Sequence, residues 1–100
     1  MEIIKNKEQG AMTVRLIGRL DTPAAQEIAP EMESLKNDAA GIIVLDCSEM
    51  DYISSSGLRL FLTLRKASAE KGGKIIIRGI SDSICSVFMM TGFLNLFEIE

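Results

Sequence analysis

Two short runs rich in β-branched residues, Gly41-Ile42-Ile43-Val44-Leu45-Asp46 and Lys74-Ile75-Ile76-Ile77-Arg78, bracket one broad amphipathic segment. This arrangement limits the possible folds more than any other feature. The runs are too short for buried helices, and their composition predicts strands covered on both faces. Between them, Leu58, Phe61, Leu62, Leu64 and Ala67 form one apolar helical face. Arg59, Thr63, Lys66 and Glu70 form the opposite polar stripe, at spacings of four, three and four. Gly72-Gly73 then stops the helix. Strand, helix and strand with short connections make a βαβ unit, whose crossover is expected to be right-handed.

The flanking segments extend this unit. Glu2–Glu8 is predicted to be a strand, as is Ala11–Ile17, where Met12, Val14 and Leu16 alternate with polar residues. Gln9-Gly10 between them predicts a hairpin turn. Asp21-Thr22-Pro23 is a helix start, with Asp21 or Thr22 as the cap and proline in the first turn. Ala25, Ile28, Ala29, Met32 and Leu35 recur at helical spacing, and the helix is expected to end near Asn37, before Gly41. Pro30 removes one backbone hydrogen bond, so a kink or break is expected there. Ser81-Asp82 caps a third helix with Ile84, Val87, Phe88 and Thr91 on one face, and Gly92 ends it. Leu94, Leu96 and Phe97 lead into a final turn or short strand ending at Glu100. The sum is one α/β domain over residues 1–100, without repeats or linkers. Its expected architecture is a mixed four- to five-stranded sheet, an antiparallel N-terminal hairpin plus parallel βαβ strands, with amphipathic helices packed on it.

Composition removes several chemistries. The 100 residues include no histidine, so no Ser-His-Asp or Cys-His relay can be assembled within the chain. The same absence excludes a histidine-containing zinc site, and Cys47 and Cys85 lie too far apart in sequence to resemble a zinc knuckle. They read instead as two reduced thiols. No metal or cofactor is expected. The 11 basic residues are offset by 14 acidic ones and form no run, which argues against a nucleic-acid partner. No apolar run approaches the ~20 residues of a membrane span, and Met1-Glu2-Ile3-Ile4-Lys5 lacks the pattern of a signal peptide. The expectation is a cytoplasmic chain, complete as it stands.

The most unusual local feature is Asp51-Tyr52-Ile53-Ser54-Ser55-Ser56-Gly57-Leu58, which follows a strand and opens a helix. Loops at the carboxyl ends of parallel strands are where ligands and partners meet such folds. Serine is a preferred helix cap and glycine permits a tight turn, which accounts for one serine well and three poorly. A catalytic serine lacks both the G-x-S-x-G elbow and a base, since Lys66 sits further along on the polar stripe. The phosphate-loop pattern G-x-x-x-x-G-K-[ST] is absent, although a helix start can still hold an anion. The remaining reading is that one hydroxyl is itself modified. A phosphate there adds about −1.5 to −2 charge, next to the positive end of the helix dipole.

Gly18-Arg19-Leu20-Asp21, Val44-Leu45-Asp46 and the Asp51–Leu58 segment together resemble the STAS family. Its bacterial members include anti-sigma factor antagonists of the SpoIIAA/RsbV type. The likeness spans nearly the whole chain, in the family's order and spacing. It implies a four- or five-stranded sheet with helices and a partner-switching role. In the family, the unmodified antagonist binds an anti-sigma factor that is also a serine kinase, and so frees the sigma factor. The kinase phosphorylates one serine of the antagonist, which weakens the complex, and a PP2C-type phosphatase resets it.

The family motif implies a phosphoacceptor two places before glycine, here Ser55, with Ser54 and Ser56 as alternates. Ser54 stands where the best-studied members have aspartate, and Asp21 matches a family aspartate expected beside the modified serine. The implied partner surface comprises Asp21, Thr22, Ser54, Ser56, Gly57, Leu58, Arg59 and Thr63. Met89-Met90-Thr91 is either a second contact surface or, for at least one methionine, core packing. A monomer or weak dimer is expected. The alternative is a STAS-type module that senses a small nucleotide or anion at the same helix start.

Overall fold

The computed structural model describes residues 1–100. Five strands form one sheet in the order β1-β2-β3-β4-β5. β1 (Glu2–Glu8) pairs antiparallel with β2 (Ala11–Leu20). β2 pairs parallel with β3 (Ile42–Ile53), β3 with β4 (Lys74–Arg78), and β4 with β5 (Glu98–Ile99). Helices α1 (Thr22–Ser34), α2 (Ser55–Glu70) and α3 (Asp82–Thr91) connect the parallel strands. The expected hairpin and βαβ strands are therefore both present. Gln9 and Gly10 have φ of 48° and 82°. Two consecutive left-handed residues make the two-residue turn whose twist matches its flanking strands.

The sheet is covered on one face, not two. Val14, Leu45 and Ile77 lie side by side in register and are all fully buried against the helices. Their neighbours Thr13, Val44 and Ile76 share the opposite face and are only half-buried, and Ile42 is exposed. Charged residues continue that open face: Arg78 lies 3.4 Å from Asp46. Partial burial alone would push the Asp46 carboxyl up. Hydrogen bonds from the Ser48 hydroxyl and backbone N–H, joined by Arg78, outweigh burial and hold it below the usual carboxylate range.

Phe88 organises the helical layer. Its ring meets Phe61 of α2 edge-on at 6.5 Å and Phe97 near the C-terminus at 6.2 Å. Each fully buried Phe, Leu or Ile side chain in this layer contributes roughly 1.5–3 kcal/mol by leaving water. Met89 and Met90, one step beyond Phe88, are 63% and 86% exposed, so neither packs into the core. Thr91 is exposed as well, its hydroxyl donating to the Val87 carbonyl.

Two further expectations change. α1 runs through Pro30 to Ser34 without ending there. Gln26, whose carbonyl loses its usual donor, and Pro30 both lie on the exposed side of the helix, where water can replace the missing bond. The last turn tightens into a 3-10 turn over Leu35–Asp38. β3 continues seven residues past Asp46, to Ile53. Two register shifts against β2, between Arg15 and Ile17 and between Gly18 and Arg19, interrupt the strict alternation of that tail.

Candidate functional site

The site forms where two neighbouring parallel strands end together. Leu20 and Ile53 are register partners, and the Ser54 N–H donates to the Leu20 carbonyl at 2.8 Å. Each strand then turns directly into a helix, so the starts of α1 and α2 open on the same edge of the sheet. Asp21 caps α1, its Oδ1 accepting from the Ala24 N–H at 3.0 Å. Thr22 is thereby the first helical residue, with Pro23 after it. Ser54 caps α2, its Oγ accepting from the Gly57 N–H at 3.2 Å.

This capping separates the three serines. Ser54 is 9% exposed and committed to the cap. Ser55 is exposed and Ser56 half-buried. Gly57 lies inside: a β-carbon there would fall 2.7 Å from Leu20 Cγ and 3.0 Å from Ile53 Cγ1. Leu58 is 4% exposed and belongs to the core. Ser54, Gly57 and Leu58 were expected to help form the partner surface, but they lie beneath it. They shape and hold the helix start and do not present side chains to a second protein.

The remaining expected residues lie at or near the surface. Thr22, Ser56, Arg59 and Thr63 line a groove of about 320 Å³ between α1 and α2, over Ala25, Ala29 and Leu60. Thr63 uses its hydroxyl within the helix, donating to the Arg59 carbonyl at 2.9 Å. The Arg59 guanidinium is exposed and makes no ion pair or hydrogen bond. Asp21 is half-buried, with Oδ2 3.7 Å from Arg19 Nε.

Three contributors escape a reading of the residues alone. Gln26 lines the groove from α1. Arg19 lies over the Tyr52 ring, 4.0 Å from its centroid. Arg19 and Tyr52 are register partners across β2 and β3. Both stand within the segments that carry the family likeness, but only the parallel register reveals that they face each other. Such a cation–π contact contributes about 0.5–1 kcal/mol at an exposed site and fixes both side chains beside Asp21.

The Ser55 hydroxyl has no hydrogen bond to a base, and no His, Cys, Asp or Glu side chains cluster in threes to hold a metal. Ser55 is exposed, so a group attached to it would meet solvent, one helical turn before the exposed Arg59 and at the end of the sheet where Asp21 caps α1. No helix is long and apolar enough to cross a membrane.

Residues 2–100 match the family model described as the STAS domain. An anti-sigma-B factor antagonist of Staphylococcus aureus is 28% identical over 87 residues, covering 87% of this chain and 81% of that protein. Its counterpart in Listeria monocytogenes is 23% identical over 97 residues, covering 97% and 85% respectively. Among solved structures, the anti-sigma factor antagonist SpoIIAA in its unphosphorylated form superposes with a TM-score of 0.76 at 19% identity, over 99% of this chain and 87% of that one. The phosphorylated form of SpoIIAA from Bacillus gives 0.75 at 20% identity, over 99% and 91%.

Proposed function

The chain belongs to the STAS domain family, and we propose that it is an anti-sigma factor antagonist switched by phosphorylation of Ser55. Unmodified, it binds an anti-sigma factor serine kinase through the surface around the start of α2, and the sigma factor is released. The kinase then transfers a phosphoryl group from ATP. Ser55 Oγ bonds to the γ-phosphorus, the β–γ bridging bond breaks, ADP leaves and the hydroxyl proton is released. A PP2C-type phosphatase hydrolyses the ester and restores the binding form. The protein works in the cytoplasm as a monomer or weak dimer and supplies no catalysis of its own.

One observation carries the choice of serine. Of the three adjacent serines, only Ser55 is an exposed residue; Ser56 is half-buried in the groove wall and Ser54 is buried as the cap of α2. The names of the relatives support the regulatory class. The physics supports the direction of the switch. A phosphate changes a neutral contact into one of about −1.5 to −2 charge, which must be desolvated when a partner closes over it. A loss of about 2–3 kcal/mol weakens binding roughly 30–150-fold. The free protein accommodates the same phosphate more easily, because it lies in water at the positive end of a helix dipole.

The test uses purified anti-sigma factor kinase and ATP, with phosphate located by mass spectrometry. Ser55→Ala is expected to incorporate none while remaining folded, and Ser55→Asp to bind the kinase more weakly than wild type. Full phosphorylation of Ser55→Ala would refute the assignment.

A further inference from the structure

We propose that Arg59 receives the Ser55 phosphate within the same chain: when the serine is modified, the guanidinium closes onto it across one turn of α2. The inference rests on Ser55 being the phosphoacceptor. It adds a second half to the switch, because the cation that the unmodified surface offers to a partner is withdrawn as the negative charge appears.

The placement of the two residues supports this. Ser55 and Arg59 are four apart on one helix, and residues at that spacing stand about 5–6 Å apart at Cβ. Both are exposed. Arg59 is also uncommitted. Its neighbours three and four residues away, Ser55, Ser56, Leu62 and Thr63, include no carboxylate to compete for it. The other cations nearby are occupied or distant. Arg19 is paired with Asp21 and stacked on Tyr52. Lys66 begins three turns further along α2, roughly 16 Å from Ser55 at 1.5 Å per residue. Asp51, the nearest carboxylate in sequence, and Asp21, brought to the same end of the sheet by the pairing of β2 with β3, add like charge and leave Arg59 as the counter-ion for a phosphate. A guanidinium suits that role, since its planar fork can meet two phosphate oxygens at once.

The experiment places phosphoserine at position 55 by genetic encoding, so no kinase is needed, and follows the phosphate by phosphorus NMR as pH is varied. A cation in contact favours the dianion and lowers the second ionisation. Arg59→Gln, a change at an exposed position, is expected to raise that midpoint by roughly 0.2–0.7 pH unit. Arg59→Lys is expected to fall between the two, since an ammonium supplies charge without the fork. Equal midpoints in wild type and Arg59→Gln would overturn the contact while leaving the choice of Ser55 untouched. Modification of Ser54 or Ser56 in place of Ser55 by the kinase would overturn the premise, and mass spectrometry reads that outcome separately.

Discussion

Leu20 occupies the space that a β-carbon on Gly57 would need: its Cγ and Cδ2 would lie 2.7 Å and 2.8 Å from that atom. The contact joins the end of β2 to the first turn of α2, and so ties the strand that leads into the Asp21 cap to the helix start that carries Ser55. Gly57→Ala therefore combines opposing effects. Alanine gains up to about 1 kcal/mol of helix propensity. Against that, Leu20 is fully buried and Ile53 closes the other side, so neither can move cheaply. Overpacking of this kind costs roughly 1–3 kcal/mol. The expected result is a lower urea midpoint with an unchanged slope, together with slower phosphorylation of Ser55. A variant as stable as wild type and modified equally fast would show that the first turn of α2 shifts freely.

Ser54 and Ser55 are adjacent but perform different tasks, and substitution should separate them. Ser54→Ala removes the acceptor of the Gly57 N–H and is expected to cost about 1 kcal/mol, within the usual range of 0.5–2 kcal/mol for a lost cap. Ser54→Asp retains a capping oxygen and should keep most of that stability. Both variants should still take up phosphate on Ser55. Thermal unfolding and mass spectrometry on the same samples supply the two readings. Loss of phosphate uptake in a folded Ser54→Ala protein would move the acceptor to Ser54.

The strands and helices were legible where one period held without interruption. Glu2–Glu8 and Lys74–Arg78 match their expected bounds because both runs are short and unbulged. The tail of β3 was not, since one bulge puts buried Met50 out of the alternation set by Ile43 and Leu45 and a second returns it at Ile53, spacing the buried residues by three. The uncovered sheet face was hidden for a different reason. Ile42, Val44 and Ile76 read as buried by type, yet all three helices pack on the opposite side. At the site, the residues alone left three serines with open roles, and the family motif pointed to the middle one. Leu58 belonged to two readings at once, the apolar stripe of α2 and the partner surface, and the stripe is what its burial supports. The Arg19–Tyr52 stack depends on register between strands separated by a whole helix, which no local pattern encodes.

The two cysteines should differ sharply in reactivity. Cys47 is fully buried beneath the helices on β3, and its thiol is pushed up to about 12, first by burial and then by the charge of neighbouring Asp46. Cys85 on α3 is half-buried. At about pH 8 only on the order of one Cys47 in ten thousand is the reactive thiolate, so iodoacetamide should label Cys85 in the native protein and spare Cys47 until urea is added. The same shift carries a stability consequence. In the unfolded chain the thiol ionises near its ordinary value of 9.0, whereas in the native state it holds its proton to about 12. Between those values the unfolded state binds fewer protons than the native one, so stability falls as pH rises, by at most about 1.4 kcal/mol per pH unit. Below 9 the contribution is fully present. Cys47→Ala should be less stable at neutral pH, because the core loses a buried sulfur, but its urea midpoint should fall less steeply between about pH 9 and 11. Equal labelling of both cysteines in the native protein, or parallel alkaline slopes for wild type and Cys47→Ala, would mean that the helical layer does not seal β3 from water.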